Sequence, residues 1–114
     1  MSLTIRMIRN SAFAVGLIGA ATLAHAGSSV EVWKSPLCGC CGGWISHMRA
    51  AGFSVVVHDV EDVTPIKVAH GVEDDLASCH TAVVEGYVVE GHVPATDVRR
   101  LLAERPAIGG LAAP

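Results

Sequence analysis

Three of the four cysteines in this 114-residue chain stand within four positions, at Cys38, Cys40 and Cys41, and the fourth is Cys79. A chain of this length holds at most one compact domain, and packing alone does not explain a cluster of thiols in it. The cluster follows a short β-branched segment and precedes a helical pattern. The fold must therefore present three sulfur atoms at a junction between a strand and a helix.

Composition excludes two broad classes of protein. The chain is 51% hydrophobic and only 17% charged. Disordered tails have the opposite composition, with few hydrophobic and many charged residues. Its formal charge is −3, and the acidic excess argues against a nucleic-acid partner, which would call for a basic face.

Residues 1–26 have the pattern of a secretory signal peptide. Arg6 and Arg9 precede an uncharged, mostly apolar run at Ser11–Leu23, and the segment ends in a small-x-small site at Ala26. The run is about 13 residues, shorter than the roughly 20 that span a bilayer, which disfavours the alternative of an uncleaved membrane anchor.

Cleavage after residue 26 would leave residues 27–114 as one domain, ordered over about 29–106. This part keeps all four cysteines and has a net charge of −5, with six basic and eleven acidic side chains. Export implies an oxidising compartment, most simply a bacterial periplasm, where disulfides form and persist. No stable membrane insertion is expected once the signal is removed.

The apolar patterns predict the element order β-α-β-α-β-β-α. Strands are predicted at Val30–Trp33, Phe53–Val57, Thr81–Val84 and Tyr87–Glu90, the last two joined as a hairpin by Glu85-Gly86. Helices are predicted at Gly43–Ala51, from Thr64-Pro65 to Gly71, and around Val98–Leu102.

This order is that of a minimal thioredoxin-like or glutaredoxin-like α/β domain. The alternative, a ferredoxin-like metallochaperone domain, needs a different sequence of strands and helices. Three consecutive valines in the second strand predict burial on both of its faces, as in a parallel sheet. The Gly/Ala-rich tail after Pro106 is expected to be loosely held.

The thiols lie where a thioredoxin-like protein holds its redox pair. Cys38 and Cys41 form a C-x-x-C motif at the start of a helix, where backbone N–H groups are expected to lower cysteine pKa. Cys79 and His80 directly precede the third strand, in the loop where such folds usually carry a cis-proline. Several thiolates and an imidazole form a soft site, suited to Cu(I) first and Zn second.

Two other interpretations of the cysteines remain open. Four cysteines in a small exported domain also suit two structural disulfides, which would make the chain an inert interaction module. The pair Cys38 and Cys41 alone would suit a thiol-disulfide oxidoreductase that needs no metal. The missing cis-proline counts against the oxidoreductase, because that residue normally shapes the substrate groove and keeps metals out.

The remaining candidates are weaker. His92, at the end of the predicted hairpin, is a candidate ligand or a partner of a ligand. Met48 is expected in the core, whereas His47 is expected to be a solvated helix residue. His58 and His70 are expected to be surface or structural residues. The aromatic side chains are expected in the core: Trp33, Trp44, Phe53 and Tyr87.

Three segments closely resemble the CopG-type proteins, a family long labelled a domain of unknown function that occurs with bacterial copper-resistance systems. They are Trp33–Cys41, Ser78–Ala82 and Glu90–Ala95. The resemblance runs in register from about residue 30 to residue 111. Many relatives continue into a Gly/Met/Pro-rich tail, whereas this chain ends with Leu111-Ala112-Ala113-Pro114.

The resemblance implies a periplasmic, thioredoxin-like protein that binds several Cu(I) ions and handles copper or thiols in redox chemistry. Its ligands would be Cys38, Cys40, Cys41 and Cys79, with His80 nearby. Other periplasmic copper-handling proteins would be its partners. If the chain is an enzyme, the resemblance implies an oxidoreductase acting on copper or on thiols.

Overall fold

The computed structural model describes residues 5–8 and 28–114. Its strands are β1 (Arg6–Ile8), β2 (Ser29–Lys34), β3 (Ser54–Asp59), β4 (Thr81–Val84), β5 (Tyr87–Gly91) and β6 (Gly110–Ala113). Its helices are α1 (Gly39–Ala50), α2 (Thr64–Ala69) and α3 (Ala95–Glu104), with a 3₁₀ turn at Asp74–Leu76.

The strands form one mixed sheet in the order β1-β6-β5-β4-β2-β3. β2 and β3 are parallel and are connected through α1, as predicted. β4 and β5 form the predicted hairpin, in which Glu85 and Gly86 both have positive φ, of 46° and 84°. Such a turn matches the twist of the two strands that it joins. The predicted order of elements is thus confirmed from β2 to α3.

The two faces of the sheet carry separate apolar clusters, because successive side chains of a strand point to opposite faces. The larger cluster joins β2, β4 and β5 to α1 and α3, and it contains the predicted core residues Trp44, Met48 and Phe53. The smaller cluster is Ile8, Val72, Leu76, Val88 and Ala112, which lies on the other face beside the segment that follows α2. The chain is therefore a small, compact, mixed α/β domain.

The valine run in β3 is not buried on both faces, so that prediction is wrong. Val55 is buried, but Val56 is 46% exposed. The reason is topological: among the described strands β3 pairs with β2 alone, and it forms one edge of the sheet. An edge strand of a mixed sheet can leave one face to solvent.

The prediction of a loosely held tail after Pro106 is also wrong. β6 pairs parallel to β5, and Ala112 and Ala113 are buried. Gly110 has a φ of +159° and lies so close to the backbone of Val88 that no Cβ would fit there. The small residues that suggested a loose tail are the ones that permit this close approach.

The predicted signal peptide lies outside the described residues except for 5–8. Those four include β1, which pairs antiparallel with β6. In the part of the chain that the structure describes, no helix is both long and apolar enough to cross a membrane.

Two local predictions changed in detail. α2 lies where expected, but Val63 rather than Thr64 is its N-cap, and the Asp62 carboxylate accepts a hydrogen bond from the Thr64 N–H at 3.0 Å. That bond lowers the pKa of Asp62. Trp33 is only partly buried rather than in the core. Its ring stacks on His58 at 5.1 Å between centroids, and His70 lies 5.9 Å away.

Candidate metal centre

A tight turn delivers the first three cysteines to the start of α1. The Cys38 N–H donates to the Ser35 carbonyl at 3.1 Å, and the Leu37 N–H donates to Ser35 Oγ at 3.2 Å. Pro36 occupies the second position of this turn, where its fixed φ is favourable. The chain leaves β2 and enters the helix within a few residues.

α1 begins at Gly39 rather than at the predicted Gly43. Glycines have low helix propensity, and because this segment contains several of them, its sequence did not predict the first turn of the helix. The earlier start places Cys40 and Cys41 inside the first turn and Cys38 immediately before it. Cys41 is fully buried, whereas Cys40 is exposed.

The four sulfur atoms of Cys38, Cys40, Cys41 and Cys79 lie within 4.8 Å of one another. Cys38 and Cys41 form a disulfide, with Cα atoms 5.5 Å apart. Cys40 Sγ is 3.4 Å from Cys38 Sγ and 3.7 Å from Cys79 Sγ, and both Cys40 and Cys79 are free thiols. The sulfur-rich site predicted from separate segments is therefore assembled in space.

The helix start was expected to lower the pKa of its cysteines, but the pKa of Cys40 is raised. Its thiol donates a hydrogen bond to the Cys79 sulfur, which favours the protonated form. Burial and the charge of a Cys79 thiolate act in the same direction, and the backbone N–H groups of the first turn oppose them more weakly. A soft metal ion would have to displace this proton, because the thiolate is the ligand.

Cys79 reaches the cluster from the loop between the 3₁₀ turn and β4. None of the described peptide bonds is cis, so this loop has no counterpart of a cis-proline. Cys79 is exposed, and its sulfur lies 3.7 Å from Cys40 Sγ. A fourth sulfur in this position favours metal binding.

His80 follows Cys79 in the chain but is not one of the clustered ligand atoms in the described residues. Its side chain is fully buried, with its ring centroid 4.5 Å from Trp44 and 5.4 Å from His92. In the part of the chain that the structure describes, neither ring nitrogen has a hydrogen-bond partner. Burial, followed by the proximity of His92, lowers the pKa of His80 to about 4.

An open cleft of about 360 Å³ lies beside the cluster. It is lined by Cys40, Gly43, Trp44, His47, His92 and Pro94. His92 lines the same cleft as Cys40, but it is not among the ligand atoms that cluster in the described residues, and its ring lies 5.4 Å from that of His80.

His47 has a contact that the sequence did not reveal. Its Nε2 accepts a hydrogen bond at 3.0 Å from the N–H of Ala95, the first residue of α3. The unpaired N–H groups of a helix start need such acceptors. His47 therefore ties α1 to α3 at the cleft, and no spacing rule links residues 48 positions apart.

These features define the class of protein: a small mixed α/β domain with a four-cysteine cluster able to hold a soft metal ion. Two solved structures, titled "Copper resistance protein copG- Form 1" and "Form 2", are each 42% identical to the chain, with TM-scores of 0.71 and 0.72. Each match covers 75% of this chain and 68% of the other. The chain therefore belongs to the CopG family of copper resistance proteins.

A family model described as "Protein of unknown function, DUF411" matches residues 76–114, which include Cys79 and His80. No curated protein sequence matches the chain at a significant level.

The low pKa of His80 predicts a specific loss of stability in acid. His80 is neutral when folded down to about pH 4, whereas an unfolded histidine binds a proton near pH 6.5. The unfolded state therefore gains protons first, and stability falls as the pH drops from 6.5 towards 4. The difference in pKa corresponds to about 3 kcal/mol of unfolding free energy.

Urea unfolding of the metal-free protein at several pH values measures this effect. His80→Phe keeps a ring in place but cannot titrate, so the difference between the two proteins isolates His80 from the carboxyl groups. As the pH falls from 6.5 to 4, the natural protein should lose more unfolding free energy than His80→Phe does. Parallel pH curves for both proteins would show that His80 does not have the depressed pKa.

Proposed function

We propose that the chain is an exported copper-binding protein of copper resistance that holds more than one Cu(I) ion in a thiolate cluster. Cys38, Cys40, Cys41 and Cys79 are the ligands, with His80 as a further ligand and His92 as a candidate. The observation that supports it most is the meeting of four sulfur atoms within 4.8 Å. Thiolates are soft ligands that select Cu(I), and bridging sulfurs let a small cluster hold several ions.

Copper loading requires the cluster to be reduced. Breaking the Cys38–Cys41 disulfide takes two electrons and two protons and yields two thiols, which a dithiol reductant supplies while becoming a disulfide itself. Each thiol then gives up its proton as it binds the metal. The redox state of this pair would thus determine how many sulfurs are available to copper, whether or not the chain is also an oxidoreductase.

His80 becomes a ligand in this proposal through the two nitrogens that lack hydrogen-bond partners. A buried imidazole without partners is costly, and coordination of one nitrogen would offset that cost. The ring would have to turn towards the sulfurs, because His80 is packed against Trp44 and His92.

The fold is proposed to be thioredoxin-like. Three features support this: a parallel pair joined by α1, a following hairpin with a closing helix, and the thiols placed at the start of α1. Cys79 replaces the cis-proline, which turns a substrate groove into a fourth ligand position.

Zn would be the second choice of metal, since Zn, like Cu(I), binds cysteine sulfur.

Periplasmic localisation rests on the pattern of residues 1–26. Cleavage after Ala26 would remove β1 and leave β6 as an edge of the sheet. Partners would be copper ions and other periplasmic copper-handling proteins. The mass of the exported protein tests the cleavage: a chain starting at Gly27 supports it, and a full-length chain contradicts it.

Anaerobic titration of the reduced protein with Cu(I), against a chromophoric Cu(I) chelator, tests the proposed function. The natural protein should bind more than one Cu(I) per chain. Cys38→Ser and Cys79→Ser should each lower that number, because each removes one sulfur from a shared cluster. Ser46→Ala, an exposed change on α1, is the matched control and should bind as the natural protein does.

A stoichiometry near zero would contradict the proposal. So would a stoichiometry that is unchanged in both cysteine variants, since copper would then be bound elsewhere.

The second candidate function is a metal-free thiol-disulfide oxidoreductase, which the Cys38–Cys41 disulfide at a helix start favours. Reduction of insulin by the metal-free protein separates the two functions. Under the copper proposal, turnover stays near the background rate of the reductant. Robust turnover that is lost in Cys38→Ser and kept in Cys79→Ser would establish the oxidoreductase instead.

A further inference from the structure

A buried carboxylate lies next to the loop that carries Cys79. Glu90, on β5, has no exposed surface. It sits on the same face of the sheet as Val88, away from the larger apolar cluster. A buried charge is costly unless it is paired and hydrogen-bonded. The partners of Glu90 therefore show which segments of the chain this carboxylate holds in place.

The Glu90 carboxylate accepts hydrogen bonds from three donors. Its Oε2 accepts hydrogen bonds from Lys67 Nζ and, at 2.8 Å, from the backbone N–H of Ser78. Its Oε1 accepts from the hydroxyl of Thr81 at 2.6 Å. Lys67 Nζ also donates to Thr81 Oγ1 at 3.0 Å, which closes the network.

The bond to Ser78 is the one that reaches the metal centre. Ser78 immediately precedes Cys79, and on the other side of Cys79 the His80 carbonyl accepts the Gly91 N–H at 3.2 Å. The loop is therefore attached to the end of β5 both before and after the cysteine. Gly91 packs closely against this loop, since a Cβ at position 91 would come within 2.9 Å of Ser78 Cβ.

Among the described residues, few polar contacts fix the Cys79 thiol. Its thiol is exposed, and its contacts are with Cys40 Sγ at 3.7 Å and with the Ser78 hydroxyl at 4.0 Å. The position of this sulfur therefore depends on the backbone of its loop. That backbone is held by a charged acceptor in a site shielded from water, where such hydrogen bonds are strongest.

We propose that Glu90, held by Lys67, is a positioning residue that fixes the Cys79 thiol against Cys40 by anchoring the Ser78 amide. The consequence for copper rests on the function proposed above, because a displaced Cys79 would open the cluster. The effect on the two thiols does not depend on any metal. Lys67 comes from α2, so the network also couples that helix to the site.

The equilibrium between paired thiols and oxidised glutathione measures how well two cysteines are held together. One glutathione disulfide oxidises the two thiols to a disulfide, accepts two electrons and leaves as two glutathione thiols. Cys38→Ala/Cys41→Ala leaves only Cys40 and Cys79 to pair. Cys40→Ala/Cys79→Ala leaves only Cys38 and Cys41, a pair within one short segment that does not involve the anchored loop, and it serves as the control.

Two double variants of the ion pair are then compared in both cysteine backgrounds. Lys67→Met/Glu90→Leu replaces the pair with apolar side chains of similar size, which a fold often tolerates, but it removes the acceptor for Ser78. Lys67→Met/Glu90→Gln also removes both charges yet keeps an amide oxygen that can accept that bond. The two variants differ mainly in whether the loop is anchored.

The Leu variant should lower the equilibrium constant for pairing Cys40 with Cys79 by about tenfold or more, the scale of a lost hydrogen bond to a charged group. The Gln variant should restore it to within about threefold of the natural protein. The control pair, Cys38 with Cys41, should stay within about threefold in both variants.

Equal values for the Leu variant and the natural protein would overturn the proposal. So would an equal loss for both cysteine pairs, because that would be a general structural effect. Hydrogen exchange of the Ser78 amide in the unaltered protein is a second measurement that needs no variant. A strongly protected amide supports the anchor, and exchange as fast as in an exposed loop overturns it.

Titrating the same variants with Cu(I) keeps this proposal separate from the copper function. If the natural protein binds no copper while the glutathione result is as expected, the proposed function fails and the positioning role stands. If copper binds but the Leu variant pairs Cys40 with Cys79 normally, the positioning role fails and the copper function stands.

Discussion

The site depends on the antiparallel pairing of β2 with β4, in which Trp33 lies opposite Thr81. This register brings the carboxyl end of β2 beside the amino end of β4, so the segments that follow one and precede the other meet at the same edge of the sheet. One of those segments carries Cys38, Cys40 and Cys41, and the other carries Cys79. A shift of one residue would turn the side chains of β4 to the opposite faces and separate the thiols.

Much of this arrangement could be predicted because it follows from local patterns. The strand before the cysteines, the helix after them and the Glu85-Gly86 turn all have strong signals, and they limit where Cys79 can lie. What could not be predicted depends on distant partners. β6 exists because Gly110 permits a close approach to Val88, and β3 loses a buried face because it is an edge strand. The hydrogen bonds of His47 and Glu90 likewise join residues from different elements.

The candidate metal centre combines exposed and buried cysteines. Cys40 and Cys79 are exposed, whereas Cys41 is fully buried at the base of the cluster. Behind them lie two buried polar groups: the His80 ring, which has no hydrogen-bond partner among the described residues, and the Glu90 carboxylate, which is paired with Lys67. Groups of this kind are uncommon in a core and lower its stability unless they are satisfied. Their concentration around one loop is consistent with a site shaped for function rather than for packing alone.

X-ray absorption at the copper edge of the reduced, Cu(I)-loaded protein tests the central claim most directly, because it reports the atoms around the metal. The account predicts the edge of Cu(I), a first shell dominated by sulfur, and scattering from a second copper at short range, as bridging thiolates require. A first shell made mainly of nitrogen or oxygen would contradict it. Single copper ions with no copper neighbour would contradict the shared cluster.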